Sequence, residues 1–337
     1  MRSDRWFLVR SAAVLCVAAL AGAQASGQEA KDAKEEGKEA KDAPRLGWKL
    51  EKGTELRYST RREETSEGES TRGEFSSTST TAVQYDIKVD EVKEGGDLVL
   101  SVTPRSIRAS RKGGRFEWEF DSTKEATGEE QEIGGLLRER VGKALRVTVG
   151  DGKIRSIEGL PEPPQEGDRA AAFRRGMVSG IAGRRAIETD LGHIFALAPH
   201  GKKLAEGETY APAAAEDDRD GERSDGRRGR GRGFGRPVAV AYKVDALRET
   251  DKGGTARFAL VAAPRDESDD EDDARRGRTE LDGAAVVSLA DGLLLELSLA
   301  SKNEGSWERD GQSFSYKTSG KATIEREAKK APESRVD

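Results

Sequence analysis

Residues 83–104 read VQYDIKVDEVKEGGDLVLSVTP and predict a β-hairpin. Apolar and polar residues alternate from Val83 to Val89, which places the apolar ones on one face of a strand. A Gly-Gly pair interrupts the run, and the alternation then resumes up to a proline. Tyr85 and Ile87 lie in the middle of the apolar face, so they are candidates for a buried surface.

Two Asp-Gly pairs predict further hairpins. Residues 147–157 (VTVGDGKIRSI) and 286–299 (VVSLADGLLLELSL) each place Asp-Gly between two apolar segments. This dipeptide supplies the two residues of positive φ that a type I′ turn requires. A two-residue turn in the second hairpin would pair Val286 with Leu297.

Four leucines on the last strand of that hairpin recur at every second position. Residues at this spacing project to one side of a strand. We expect that side to face the protein interior, because a row of exposed leucines would favour aggregation. The candidate lining of a concave sheet face is therefore Val286, Leu293, Leu295, Leu297, Leu299, Tyr85 and Ile87.

Between residues 128 and 198 the hydrophobic period changes from two to between three and four. Apolar stripes over 133–145, 173–181 and 187–198 predict three amphipathic helices. Strand patterns precede and follow this region. The sequence thus predicts a mainly β (α+β) protein, a curved antiparallel sheet or half-barrel, with about three central helices packed on or in its concave face.

The first 25 residues have the order of a secretory signal. Arginines open the chain, an apolar stretch follows over 12–23, and Ala23-Gln24-Ala25 supplies a small-residue cleavage site. We predict residues 1–25 to be a signal peptide and the protein to be exported, either periplasmic or extracellular. Its apolar core is too short to remain as a membrane anchor, so no transmembrane segment is expected in the mature chain.

Composition divides the remaining chain. Residues 26–45 are charged and lack large apolar side chains, which predicts a disordered tether. We assign residues 46–327 to a single half-barrel-like domain. Two charged inserts, 213–236 and 265–278, cannot bury a core and are expected to be disordered, as is the tail over 328–337.

The inserts carry opposite charge. Residues 227–236 are rich in arginine and glycine, like some nucleic-acid-binding segments. However, the chain is predicted to be exported, acids precede the arginines, and one aromatic residue is interleaved, so we expect no nucleic-acid partner. Strands near 237–247 and 255–264 should pair as a hairpin. Both inserts would then join it at one end, where the acids of 266–273 would neutralise the arginines.

The composition argues against several kinds of chemistry. The chain has 337 residues, with 36% charged, a net charge of −5, one cysteine and two histidines. A disulfide scaffold or a histidine-based metal centre is therefore not expected. No nucleophile elbow or phosphate-binding loop is present, and His193 and His200 are interpreted as surface or helix-end residues. We predict no enzyme activity and no catalytic, cofactor-binding or metal-binding residue.

Three segments carry a resemblance to a known family. They are WKLEKGTELRY (48–58), the hairpin over 146–157 and LAEGETY (204–210). With the strand–helix–strand order over 46–327, the chain resembles a family of uncharacterised secreted bacterial proteins of unknown function. The layout is similar to the unclosed half-barrel of periplasmic lipoprotein carriers, in which helices cover a curved, apolar-lined sheet. The resemblance implies no catalytic residues, and Tyr210 stands where the family often has tryptophan.

Three hypotheses about function follow. The first is a secreted, non-enzymatic module that binds an apolar or amphipathic ligand, such as a lipid, or a protein partner in the concavity. The second is an envelope-associated structural or interaction protein whose core is self-filled. The third is an enzyme of unrecognised type, which would need clustered buried titratable groups. The first requires an apolar cavity of roughly 300 Å³ or more between sheet and helices. The oligomeric state stays open.

Overall fold

The computed structural model describes most of the predicted domain. The residues that it describes are 44, 46–71, 73–113, 117–125, 132–160, 169–195, 201–210, 240–248, 253–262, 278–309 and 312–328. The predicted signal peptide lies outside these residues. The predicted insert over 213–236 lies wholly outside them, and of the tether, the second insert and the tail only residues 44, 278 and 328 are described.

Twelve strands of the described residues form one open antiparallel sheet. Their spatial order is β6-β5-β3-β2-β1-β12-β11-β10-β9-β8-β7, with β4 attached to β3. The strands are β1 (Glu55–Ser70), β2 (Gly73–Val92), β3 (Leu98–Lys112), β4 (Trp118–Asp121), β5 (Leu145–Gly150), β6 (Lys153–Glu158), β7 (Thr209–Tyr210), β8 (Val240–Arg248), β9 (Thr255–Ala262), β10 (Arg278–Ser288), β11 (Leu294–Arg309) and β12 (Gln312–Arg326). The prediction of a mainly β protein with a curved antiparallel sheet is confirmed.

The sheet consists of two meanders that meet in its middle. The first starts at β1 and adds strands outward to β6, and the second starts at the other edge with β7 and returns to β12. There β12 pairs with β1 over the whole segment from Tyr58 to Ser70. The first and last strands are therefore central, and the edges are formed by β6 and β7.

Three helical segments occur among the described residues, one between β4 and β5 within the first meander and two between β6 and β7. They are α1 (Glu132–Arg138), α2 (Arg169–Ala182) and α3 (Arg184–Phe195). Only α2 and α3, of 14 and 12 residues, have the length of ordinary helices, whereas α1 has seven residues. The prediction of about three helices is therefore not matched.

The first predicted helix is wrong beyond Arg138. The chain turns there, and Leu145, which we predicted to end the helix, instead begins β5. Gly142 has a φ of +77°, and its N–H donates to the carbonyl oxygen of Pro104 on β3 at 2.8 Å. A residue of positive φ does not continue a right-handed helix. The hydrogen bond to Pro104 fastens the turn to the sheet.

The core lies between one face of the sheet and the helices. Alternate residues of the central strands, such as Tyr58 on β1 and Tyr85 on β2, are buried on that face. Ile187, Leu191 and Phe195 of α3 are buried against it. The period-two pattern in the strands and the helical stripe over 187–198 therefore identify the two sides of one core.

The predicted hairpin between the charged inserts is confirmed. Strands β8 and β9 pair, with Val240 opposite Ala262 at their open end. The segment before β8 and the segment after β9 therefore meet the sheet at the same place. Attraction between the inserts stays a prediction, because their sequences lie outside the described residues.

The two Asp-Gly pairs adopt different turns. Asp151 and Gly152 both have positive φ, 50° and 70°, as a type I′ turn requires. In the other hairpin, glycine alone has a positive φ, and the Gly292 N–H donates to the Ser288 carbonyl oxygen at 2.9 Å. This loop spans residues 289–292, so the type I′ prediction is wrong there.

The longer loop changes the register of β10 and β11. Val286 lies opposite Glu296, and Leu297 lies opposite Ala285. The predicted pairing of Val286 with Leu297 is therefore wrong. A bulge at the end of the ladder, where Leu294 follows in register, leaves Leu295 as the extra residue. A slip of one residue turns a side chain to the other face, and Val286 and Leu295 are accordingly half-buried.

Neighbouring leucines of β11 should therefore differ in their contribution to stability. Leu297 is 0% exposed, and we expect Leu297→Ala to lower the free energy of unfolding by about 2–5 kcal/mol. The half-buried Leu295 offers a matched control, and Leu295→Ala should cost less than about 1.5 kcal/mol. Urea unfolding measures both values. Equal losses for the two variants would contradict the observed register.

Candidate functional site

A buried carboxylate joins α3 to the centre of the sheet. Asp190 is 2% exposed, and its Oδ2 accepts a hydrogen bond from the Tyr85 hydroxyl at 2.9 Å and from the Thr60 hydroxyl at 3.3 Å. Arg62 Nη2 donates to the same oxygen at 3.4 Å. A buried acid is tolerated only when it is paired and hydrogen-bonded, so these contacts fix the position of α3 over β1 and β2.

Burial shifts the titration of the groups in this cluster. It raises the pKa of Asp190, while Arg62 and the two hydroxyl donors oppose that rise. Burial also raises the pKa of Tyr85 well above its ordinary value, and the charge of Asp190 adds to the effect. One turn along α3, burial and the charge of Arg62 lower the pKa of His193 to about 4. His193 is therefore neutral at physiological pH.

One further acid extends the cluster along the same face. Glu64 follows Arg62 on β1, and burial raises its pKa, while Ser66, Arg111 and Arg62 lower it. The charge of Arg62 thus lowers the pKa of both acids, Asp190 and Glu64, and opposes the effect of their burial. Such buried titratable groups occur at catalytic sites but also in structural networks.

The cluster has the contacts of a structural network. The polar partners of Asp190 come from the chain itself, and its carboxylate lines neither of the two pockets described below. Sequence analysis missed Asp190. Its signal is an acid inside an apolar helical stripe, three residues after Ile187 and four before Ile194.

A pocket of about 250 Å³ lies where α2 turns into α3 beside the sheet. The end of α2, the start of α3, the turn after α1 and the ends of β5 and β6 surround it. It is partly open to solvent. Five apolar side chains form most of its wall, and the lining residues are Pro104, Arg140, Lys143, Leu145, Gly159, Leu160, Ala182 and Ile187.

Arg140 is the charged residue that lies deepest in this wall. It is half-buried, and burial lowers its pKa, while the neighbouring Glu139 opposes that change. Lys143, the second cation, is exposed. Within the described part of the chain, neither side chain has an acid at ion-pair distance.

A second pocket of about 250 Å³ lies on the opposite, polar face of the sheet. Its cations already have partners, since Arg61 binds Glu63 and Arg108 lies 3.2 Å from Asp121. Gln84 accepts hydrogen bonds from its neighbours. This surface is therefore a satisfied polar sheet face.

The predicted lining residues lie in the packed core or at its margin. Leu293, Leu297, Leu299 and Ile87 are buried, and Tyr85 binds Asp190. Val286 and Leu295 are half-buried. The pocket described above is lined by other residues than these seven. His193 lies in the last turn of α3, which agrees with a helix-end residue, and His200 is outside the described residues.

Two features are absent from the described residues. None of the helices there is long and apolar enough to cross a membrane. Nor do those residues bring together three or more histidine, cysteine, aspartate or glutamate side chains around a metal position.

Comparison with known proteins assigns no family to this chain. Neither a scan against protein-family models nor a search of curated proteins finds a match. Among solved structures, a lipovitellin structure ("Lipid-protein interactions in lipovitellin") is similar, with 11% identity and a TM-score of 0.38, over 86% of this chain and 27% of that chain. The chain thus spans about a quarter of the lipovitellin chain. A TM-score of this size has no bearing on function.

The structure itself supports a coarse description of the fold. The chain is a mainly β protein with one open antiparallel sheet and helices on one face. Membership of the secreted bacterial family stays a prediction.

Removing the buried carboxylate should destabilise the fold. We expect Asp190→Ala to cost about 2–3 kcal/mol, because the hydroxyls of Tyr85 and Thr60 lose their acceptor inside the core. Asp190→Asn keeps a carbonyl acceptor and should cost less than half as much. Urea unfolding at neutral pH compares the two. An alanine variant as stable as the wild type would show that the contacts do not hold α3.

His193 should make stability depend on pH. The unfolded histidine protonates near pH 6.5, whereas the folded one protonates at about 4. Stability is therefore lost as the pH falls from about 7 to about 5, by on the order of 1–2 kcal/mol for a partly exposed ring. His193→Gln should remove this loss, as unfolding at several pH values would show. The loss should persist in the control His200→Gln; its disappearance there would assign it to the other histidine.

Proposed function

We propose that this chain is a non-enzymatic binding module that takes the apolar part of an amphipathic ligand into the pocket beside the α2–α3 turn. The observation that carries the proposal is the pocket itself. About 250 Å³ lies beside the buried Leu145 and Ile187, partly open to solvent and mostly apolar in its wall. Apolar walls with a few polar groups at the mouth are typical of small-molecule sites.

The size of the pocket limits the ligand. About 250 Å³ is below the roughly 300 Å³ that we set for a cavity in the sheet concavity, and below the usual range for drug-sized ligands. The pocket cannot enclose a lipid with two chains. The proposal is therefore one alkyl chain inside, with the rest of the ligand outside.

A second candidate function has its own support. The side chains of α3 fill the centre of the sheet face, where Leu191 and Phe195 are 0% exposed. A core filled by its own helices needs no ligand, as an envelope-associated structural or interaction protein would have. In that case the pocket is a gap at the margin of the helix layer. Export in either case rests on residues 1–25 and stays a prediction.

A neutral fluorescent dye separates the two candidates. We expect N-phenyl-1-naphthylamine to bind the wild type and to be displaced by decanol. Leu160→Gln should weaken dye binding about 10-fold, because it places an amide against the apolar wall; this corresponds to about 1.4 kcal/mol. Leu247 is also half-buried but lies on distant β8, so Leu247→Gln is the matched control. Absence of dye binding to the wild type would favour the structural protein.

A further inference from the structure

The charged side chains of the pocket have one sign. Arg140 and Lys143 are cations, and the described lining contains no carboxylate. Both come from the turn after α1, which the hydrogen bond from Gly142 to Pro104 fastens to β3. The Arg140 N–H also donates to the Leu137 carbonyl oxygen at 3.0 Å. The backbone that carries the two cations is therefore held in place beside the apolar wall.

Arg140 differs from the other half-buried arginines of the described residues because its side chain has no hydrogen-bond or ion-pair partner there. Arg62 is 28% exposed and reaches Asp190 at 3.4 Å, and Arg326 is 24% exposed and binds Asp291 at 2.6 Å. Arg111, which is half-buried and has no acid within 4 Å among the described residues, donates to the Ser77 hydroxyl at 3.4 Å. Arg140 is half-buried too, but within the described chain it lacks an acid within 4 Å. Its guanidinium donates no hydrogen bond to a described residue, and the acid that acts on its charge is its chain neighbour Glu139.

We propose that the pocket binds a single-chain amphiphile whose headgroup is a carboxylate, with Arg140 as its main contact and Lys143 as a second. This inference rests on the proposed function, since the alkyl chain occupies the same apolar wall. The planar guanidinium matches a carboxylate through two parallel hydrogen bonds. One half-buried cation matches one negative charge, while the exposed Lys143 adds attraction that salt can screen.

Two probes with the same chain and different heads test the charge. Calorimetric titration of the full-length protein at neutral pH and low salt compares decanoate with decanol, both as monomers in solution. We expect the wild type to bind decanoate about 10-fold more tightly, because hydrogen bonds to charged groups contribute about 1.5–3 kcal/mol. In about 1 M sodium chloride, where the Debye length is about 3 Å, this preference should shrink.

Arg140 variants assign the effect. Arg140→Gln should weaken decanoate binding about 10-fold and leave decanol within about two-fold. Arg140→Lys, which keeps the charge without the planar fork, should recover part of the affinity. Arg248 is exposed at the end of β8, so Arg248→Gln is the matched control and should change neither probe. Circular dichroism confirms that each variant is folded.

The outcomes distinguish the two levels of the proposal. Equal wild-type affinity for the two probes, or an unchanged preference in Arg140→Gln, would overturn the carboxylate assignment and leave binding of an apolar chain standing. Binding of neither probe would overturn the pocket as a ligand site and, with it, the inference about its headgroup. A preference for decanoate that is lost in Arg140→Gln but kept in Arg248→Gln would support both.

Discussion

The pairing of the first strand with the last is the contact on which the rest of the structure depends. Strand β1 forms a ladder with β12 on one side and with β2 on the other. The two meanders thereby become one sheet, and their apolar faces become one surface. Closing a loop of most of the chain costs conformational entropy. Burial of that continuous surface under the helices offsets the cost.

The wide apolar face of the sheet must be buried, and α3 packs against it. Its apolar stripe could pack on the sheet in several positions, because hydrophobic contact has little directionality. The hydrogen bonds of Asp190 to β1 and β2 select one of them. The same polar contacts hold the helix over the centre of the sheet, where Leu191 and Phe195 are 0% exposed.

The pocket lies instead beside the junction of α2 and α3. Gly183 separates α2 from α3, and a Cβ at this position would lie 2.4 Å from the Ser179 carbonyl oxygen. The junction of the two helices lies beside the pocket, since Ala182 and Ile187 on either side of it belong to the lining. The turn after α1 brings Arg140 to that corner. An apolar wall and the half-buried Arg140 then meet in one place, and this combination is the basis of the proposed amphipathic ligand.

Local sequence was sufficient for much of the secondary structure. Alternation over 83–104 predicted two strands and their buried face, Asp151-Gly152 predicted a type I′ turn, and the later stripes predicted α2 and α3, because these patterns act over a few residues. The register of 286–299 depended on tertiary structure. Gly292 packs so closely against the backbone of Gly47 that a Cβ would lie 2.3 Å from its carbonyl oxygen, a contact that no local pattern contains.

The candidate site depended still more on tertiary structure. Its lining comes from β3, the turn after α1, the β5–β6 hairpin and the α2–α3 corner. Each of these residues is ordinary in its own segment: a proline in a strand, an arginine in a turn, an alanine at a helix end. Sequence alone determined which faces are apolar and which segments are charged. Only the packing of distant segments decided where the pocket lies and which cation lies beside it, because the walls of the pocket come from segments that are far apart in the sequence.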